Sequence, residues 1–414
     1  MLEKQASLDS ELSSADSWTT GESSQRSSDL GRGYSSGESS CSYQCVATLS
    51  GHSGPVSSIA VVGNRIYSGG SDGRDIRVWN QPDMGEICRF GTGNGAVKAI
   101  IMLGDRLISA HQDMKIRVWK QPEIGPKGPK GPKLVATLPT MKDYLLRCVP
   151  SKNYVQVRRH KSSLWIQHND AISVLAAGPG NLLYSGSWDK TIKVWRTSDF
   201  RCLESITGHQ DAVSSLVIDR QGFLYSASAD STVKVWSKCG GKKHSWVATL
   251  SKHKSSVNAL ALSPDESLLY AASSDKTVSV WERTNGGEEE DHMRFVGLLK
   301  GHRQAVLCMA AVGDIVCTGS ADKTIRVWRR CGTDHTLVTV LEGHHGAVRS
   351  IFASMEAVEL GMVIYSGSID RSLKVWWLAS SQHGSASPTG SPPLLLKWRQ
   401  SREISLLPYS NRSI

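Results

Sequence analysis

Histidine and aspartate, the residue types that hold metals and move protons, recur through this chain at near-regular intervals. His52, His168, His209, His253, His302 and His344 precede Asp72, Asp189, Asp230, Asp275, Asp322 and Asp370 by 20 to 26 residues each. A seventh aspartate, Asp113, has Gly93 where its histidine should stand. A small hydroxyl residue lies four positions before each aspartate: Ser68, Ser109, Ser185, Ser226, Thr318 and Ser366, with Ala271 the exception. Catalysis or metal binding needs such groups to converge on one cleft. A series distributed along the chain instead places one set in each structural unit, so these residues are expected to be buried hydrogen-bonding links. Motifs with a mechanism are missing: there is no HExxH or CxxC, and GTGNG at 91–95 lacks the GK[ST] that completes a phosphate loop. No catalytic residue, cofactor, metal or small-molecule substrate is expected.

The elements that carry these residues are strands. Seven runs alternate apolar and polar residues and close on tryptophan, at Trp79, Trp119, Trp195, Trp236, Trp281, Trp328 and Trp376. Period two marks a strand with one buried face. The Trp-to-Trp spacings are 40, 76, 41, 45, 47 and 48 residues, mostly close to the ~40–45 of a four-stranded propeller blade. Each tryptophan follows its aspartate by six residues, except Trp79, which follows Asp72 by seven; the extra residue reads as a bulge in the turn.

Together these positions resemble the Asp–His–Ser/Thr–Trp tetrad of the WD40 family, over roughly residues 44–378. The resemblance implies an all-β, seven-bladed propeller in which Asp bonds His, His bonds the hydroxyl, and the hydroxyl meets the indole N–H. Every link satisfies a buried polar group, and losing one leaves its neighbour unpaired at ~1–3 kcal/mol. Repeats two and five each lack a member and are expected to be the looser blades. Ring closure is also legible. CVATL at 45–49 directly precedes Gly51-His52 with no strands before it, so it reads as the outer strand of the last blade, removing the free edge of an open ring.

The 76-residue gap between Trp119 and Trp195 breaks the period. VATL occurs three times, at 46–49, 135–138 and 247–250, so Val135–Leu138 is expected to be an outer strand, with the basic PKGPKGPK before it in a loop on the opposite face. The remainder, about 142–167, is expected to hold a β-hairpin: a strand Tyr154–Val157, a basic turn Arg158-Arg159-His160-Lys161, and a strand Leu164–Gln167. A degenerate eighth blade is the alternative, because Tyr154 to Trp165 imitates the spacing of Tyr184 to Trp195. Strand parity opposes it, since three strands would leave the chain on the wrong face; a hairpin leaves and returns on the face of the tetrad loops. The stretch NYVQVRRHK, LWIQH and DAISVL, with the Ser-rich head, resembles plant WD40 proteins of the Jingubang type. That resemblance implies a regulatory scaffold, cytoplasmic and nuclear, with transcriptional or signalling regulators among its partners.

Residues 1–43 are rich in serine and poor in large apolar groups, a composition expected to stay disordered, and residues 379–414 form a second linker and tail. The nine cysteines are odd in number and unpaired by motif, which fits a reducing compartment. No stretch reaches the ~18 apolar residues of a membrane span, so no membrane contact is expected.

Propellers meet partners mainly on the face carrying the d–a and b–c loops. The positions at its mouth are Lys98, Asn258, Leu307 and Arg349 beside the start of strand a, and Gln112, Trp188 and Ile369 just before a tetrad aspartate. Arg158, Arg159 and Lys161 of the hairpin turn are expected to rise beside that face and make one rim positive. With a formal net charge of +10, the expected function is a non-catalytic scaffold that grips acidic or phosphorylated protein segments. Nucleic-acid binding is the alternative; the basic residues are dispersed and lack the interleaved aromatics of a stacking platform.

Overall fold

Short alternating runs punctuated by Gly, Asn and Asp make strands and tight turns, and seven such sets fold into seven four-stranded antiparallel sheets. The computed structural model describes residues 43–71, 75–91, 95–121, 131–158, 161–238, 243–284, 292–356 and 361–379. The expected tails, apart from Tyr43 and Ala379, and residues 126–130 of PKGPKGPK fall outside them.

Strands a to d of blade one are Val56–Val62, Arg65–Gly70, Ile76–Asn80 and Glu86–Phe90. Blade two comprises Val97–Leu103, Arg106–His111, Ile116–Lys120 and Lys133–Leu138; blade three, Ile172–Gly178, Leu182–Ser187, Ile192–Arg196 and Cys202–Ile206. Blade four is Val213–Ile218, Leu224–Ser228, Val233–Ser237 and Ser245–Leu250; blade five, Val257–Leu262, Leu268–Ser273, Thr277–Arg283 and Met293–Lys300. Val306–Val312, Ile315–Ser320, Ile325–Cys331 and Asp334–Leu341 make blade six. Blade seven takes Val348–Glu356, Gly361–Ser368 and Ser372–Ala379 from the end of the chain and Tyr43–Ser50 from its start, with Ser50 opposite Ser372 and Gln44 opposite Trp377. The innermost strands neighbour one another around a closed ring, blade seven against blade one.

The core is divided among the junctions. Seven clusters of buried apolar side chains each join two consecutive blades. The tryptophan of each strand c packs in the cluster shared with the preceding blade, as Trp195 does beside Ile108 and Ile116 of blade two. Its burial therefore holds two sheets together, and truncating it to alanine is expected to cost ~3–5 kcal/mol. Tyrosines on strand b add a polar latch at five junctions: Tyr67 with Gln121, Tyr184 with His244, Tyr225 with Arg283, Tyr270 with His335 and Tyr365 with Gln81.

Every a–b pair shifts register just after the first residue of strand a. Such a bulge re-aims one side chain, and in blades one, three, four and five that side chain bonds the next blade. Ser57 donates to the Val97 carbonyl at 2.5 Å, Ser173 to Val213 at 2.5 Å, Ser214 to Val257, and Asn258 to Val306 at 2.8 Å.

The insert departs from expectation in two ways. A short helix, α1 (Met141–Arg147), precedes the hairpin, capped by the Thr140 hydroxyl accepting from Asp143 N–H. The hairpin itself pairs Tyr154–Arg158 with Lys161–Leu164, three residues earlier than the expected second strand at Leu164–Gln167. The ladder ends at Leu164 because Leu164 and Ile166 both bury against blades two and three, and the Trp165 carbonyl accepts from Lys193 Nζ at 2.5 Å. The two strands form their own sheet, separate from every blade.

Candidate functional site

The tetrads hold the loops of the candidate face. In blade three, His168 Nδ1 lies 3.0 Å from Asp189 Oδ2, its Nε2 2.8 Å from Ser185 Oγ, and Trp195 Nε1 donates to the same hydroxyl at 2.9 Å. Blades four (His209, Ser226, Asp230, Trp236), six (His302, Thr318, Asp322, Trp328) and seven (His344, Ser366, Asp370, Trp376) repeat it at 2.7–3.0 Å. In blade one His52, Ser68 and Trp79 connect in the same way at 2.7 and 2.8 Å; Asp72 lies outside the described residues.

Blades two and five both keep the histidine–hydroxyl–indole link through residues outside the expected positions, and only blade two lacks the Asp–His pair. In blade two His111, on strand b itself, places Nε2 2.8 Å from Ser109 Oγ, which accepts the Trp119 indole N–H at 2.8 Å. Asp113, without a histidine, is gripped by both terminal nitrogens of Arg117 at 3.0 and 2.6 Å. In blade five Ser279 replaces the hydroxyl missing at Ala271: His253 Nε2 is 2.8 Å from its Oγ, Trp281 donates to it at 2.9 Å, and His253 Nδ1 meets Asp275 at 2.8 Å. Ser279 is the direct cross-strand partner of Ala271, so the hydroxyl has moved one strand while staying in place in space.

The electrostatics are those of structural links. Burial would raise the Asp189 carboxyl, but the facing His168, the Thr191 hydroxyl and the Asn169 N–H hold it well below the usual carboxylate range. Asp230, Asp322 and Asp370 are held low in the same manner. Burial also pushes His168 down. His111 falls to about 4, through burial and then the charge of Arg117. Proton exchange near neutral pH is therefore suppressed at His168 and His111, and Asp189, Asp230, Asp275, Asp322 and Asp370 each face their own histidine rather than a shared cleft. Among the described residues no group of three or more His, Cys, Asp or Glu side chains is placed to hold a metal.

The mouth positions separate into two kinds. Asn258 is engaged in the frame: its amide donates to Val306 O and to Ser274 Oγ. Trp188 is half-buried with the Lys98 ammonium 5.2 Å over its ring, a contact across the blade two–three junction. Gln112 and Arg349 are exposed, and Leu307 and Ile369 half-buried. The side chains of Arg158, Arg159 and Lys161 lie outside the described residues, and the helix of the insert is fastened to the outer strand of blade three. Asp143 on α1 accepts the Cys202 N–H at 3.0 Å, and Arg147 donates to the Cys202 carbonyl at 2.9 Å.

A group that the sequence reading passed over lies on the loops of blades five to seven. Lys254 and Arg303 follow the tetrad histidines, and Lys276, Lys323 and Arg371 follow the tetrad aspartates; all five are exposed. The last three have φ of 74°, 71° and 69°, the left-handed turn conformation that directs them off the sheet edge. On these loops the one acidic residue outside the tetrads is Glu342. On blade three Asp170 accompanies Lys190, whose ammonium is bonded to Gln210 O at 2.5 Å, and blade four carries Asp211 and Ser231, so the exposed lysines and arginines of these turns concentrate on blades five to seven. The available signal was the repeated Asp-Lys or Asp-Arg dipeptide in the b–c turns, which period analysis treats as filler.

Six segments, residues 43–80, 161–196, 200–237, 245–282, 293–329 and 335–376, match the WD40 family profile, described as WD domain, G-beta repeat. A search of curated proteins returned no match.

Proposed function

The chain belongs to the WD40 repeat family, and on that footing we propose that it is a non-catalytic scaffold that holds an acidic or phosphorylated segment of a partner protein on the top loops of blades five to seven. Propellers of this family typically bind other proteins. The observation that carries the finer reading is the arc of Lys254, Lys276, Arg303, Lys323 and Arg371, exposed together around three consecutive blades. Their backbones are held by the tetrads, so the arc is positioned before a ligand arrives. Fixed backbones confine the ordering cost of binding to the side chains, and the cations discriminate by charge. Arginine adds bidentate bonding to carboxylate or phosphate.

The test is a titration with a short peptide carrying two phosphoserines flanked by glutamates, beside its unphosphorylated serine counterpart. Binding is expected to follow phosphorylation and to weaken at least tenfold in a Lys254→Glu, Arg303→Glu, Lys323→Glu variant. Unchanged affinity in that variant overturns the reading. Tighter binding of single-stranded nucleic acid than of either peptide, at matched salt, would move the site to the other class of partner.

A further inference from the structure

Helix α1 is amphipathic in the reverse sense. Its polar pair, Asp143 and Arg147, lies four residues apart on the inward face, bonded to each other at 2.9 Å and to the outer backbone edge of the buried Cys202. Its apolar side chains point to water: Met141 is 72% exposed, Leu145 63%, Leu146 58%, and Val149, just beyond the helix, 86%. Ordinary packing puts apolar groups inward, so the segment's charges are used to fasten it and its hydrocarbon is left out.

What surrounds this hydrocarbon is of one sign. Asp143 is the single acidic residue between Pro139 and His168, and it is buried. Lys142 and Lys152 are exposed among the apolar groups. Two further polar groups of the segment are turned to internal bonds, Tyr154 Oη donating to Cys148 O at 2.9 Å and Asn153 Nδ2 to Arg147 O at 2.9 Å, while Tyr144 and Ser151 are exposed. The outward surface therefore offers bare side-chain carbon and ammonium, with little fixed hydrogen bonding.

We infer that this patch is a docking surface for an anionic lipid bilayer, the apolar side chains entering the headgroup–acyl boundary and the lysines meeting acidic headgroups. A fluid interface demands apolar depth and positive charge, both present here, and no directional partner groups. A second copy of the chain would bring lysines against lysines. A protein partner would use about one hydrogen bond per 100–200 Å² of interface, and beyond its lysines this surface offers few directional groups, such as Tyr144 and Ser151. The site is separate from the arc on blades five to seven and stands whether or not that arc binds peptides.

The experiment is flotation of the full chain with phosphatidylcholine vesicles, with and without about one-third phosphatidylserine. The wild type is expected to float with the anionic vesicles and not with the neutral ones. Leu145→Glu with Leu146→Glu, both outward-facing, is expected to reduce the floated fraction at least fivefold while leaving the thermal midpoint unchanged. Lys142→Glu with Lys152→Glu should reduce it about as much. No flotation of the wild type overturns the inference. So does flotation retained in both variants, which assigns it to other basic groups. Self-association lost in Leu145→Glu with Leu146→Glu, without vesicle binding, overturns it in favour of a second copy.

Discussion

His111 Nε2 stands 2.8 Å from Ser109 Oγ on one and the same strand, where other blades bring a histidine in from the preceding d–a loop. Both side chains point into the sheet interior because they are two residues apart on a pleated strand. The indole of Trp119 completes the chain from the next strand. Blade two thus keeps its buried polar link by a different covalent route, and the Gly93 position is relieved of it.

This arrangement makes stability depend on pH. His111 is held at about 4 when folded, against roughly 6.5 in an unfolded chain. Between those values the unfolded state binds the extra proton, so stability is full above about pH 6.5 and falls as the pH drops towards 4. The loss is on the order of 3 kcal/mol. Urea titrations across this range should show the slope, and His111→Gln should make it shallower by about one proton, with the buried His168 still contributing. An equally steep slope in that variant would refute the assignment.

In blade five the hydroxyl belongs to Ser279. Ser279→Ala is expected to destabilise by ~1–3 kcal/mol, since His253 and Trp281 lose a shared partner. Adding Ala271→Ser should restore most of it, because residues 271 and 279 are cross-strand neighbours. Chemical denaturation of the two single variants and the double completes the cycle. Additive losses in the double variant would show that the two positions are not interchangeable.

The edge of blade three is closed by Asp143. Removing its carboxylate in Asp143→Ala frees the Cys202 N–H and leaves Arg147 without its ion pair. A loss of ~3 kcal/mol of local stability is expected. Hydrogen exchange at the Cys202 amide should accelerate by about a hundredfold, while amides in blades five and six keep their rates. Uniform acceleration would mean that the helix supports the whole ring rather than one edge.

Peptide binding at the arc is expected to be salt-dependent, because its five cations are exposed. Raising ionic strength from about 0.05 to 0.5 M shortens the screening length severalfold, and affinity for the phosphopeptide should fall by at least tenfold. Lys98→Glu, on the far side of the ring beside Trp188, should leave that affinity within about twofold. A stronger loss with Lys98→Glu would relocate the site to blades two and three.

The sequence alone determined the number of blades, the strand that closes the ring, and most tetrads. All of these are local or periodic: a strand's alternation, a tryptophan six residues after an aspartate, a VATL run before a histidine. A period of about 45 residues reports them without any knowledge of which strands touch. What only the tertiary structure decided are relations between residues that share space without sharing a place in the period. Ser279 opposite Ala271 and His111 beside Ser109 are substitutions across or along a sheet. A position-by-position alignment of repeats scores each as an absence, yet the space is filled. The Tyr270–His335 latch and the Cys202–Asp143 bond join residues 65 and 59 positions apart. The insert was visible as an interruption, but its outward apolar face was not. Leu145 and Leu146 look in sequence like core residues. They stay in solvent because the helix is held by its charged side, and nothing local to the chain states that blade three leaves a backbone edge there to receive it.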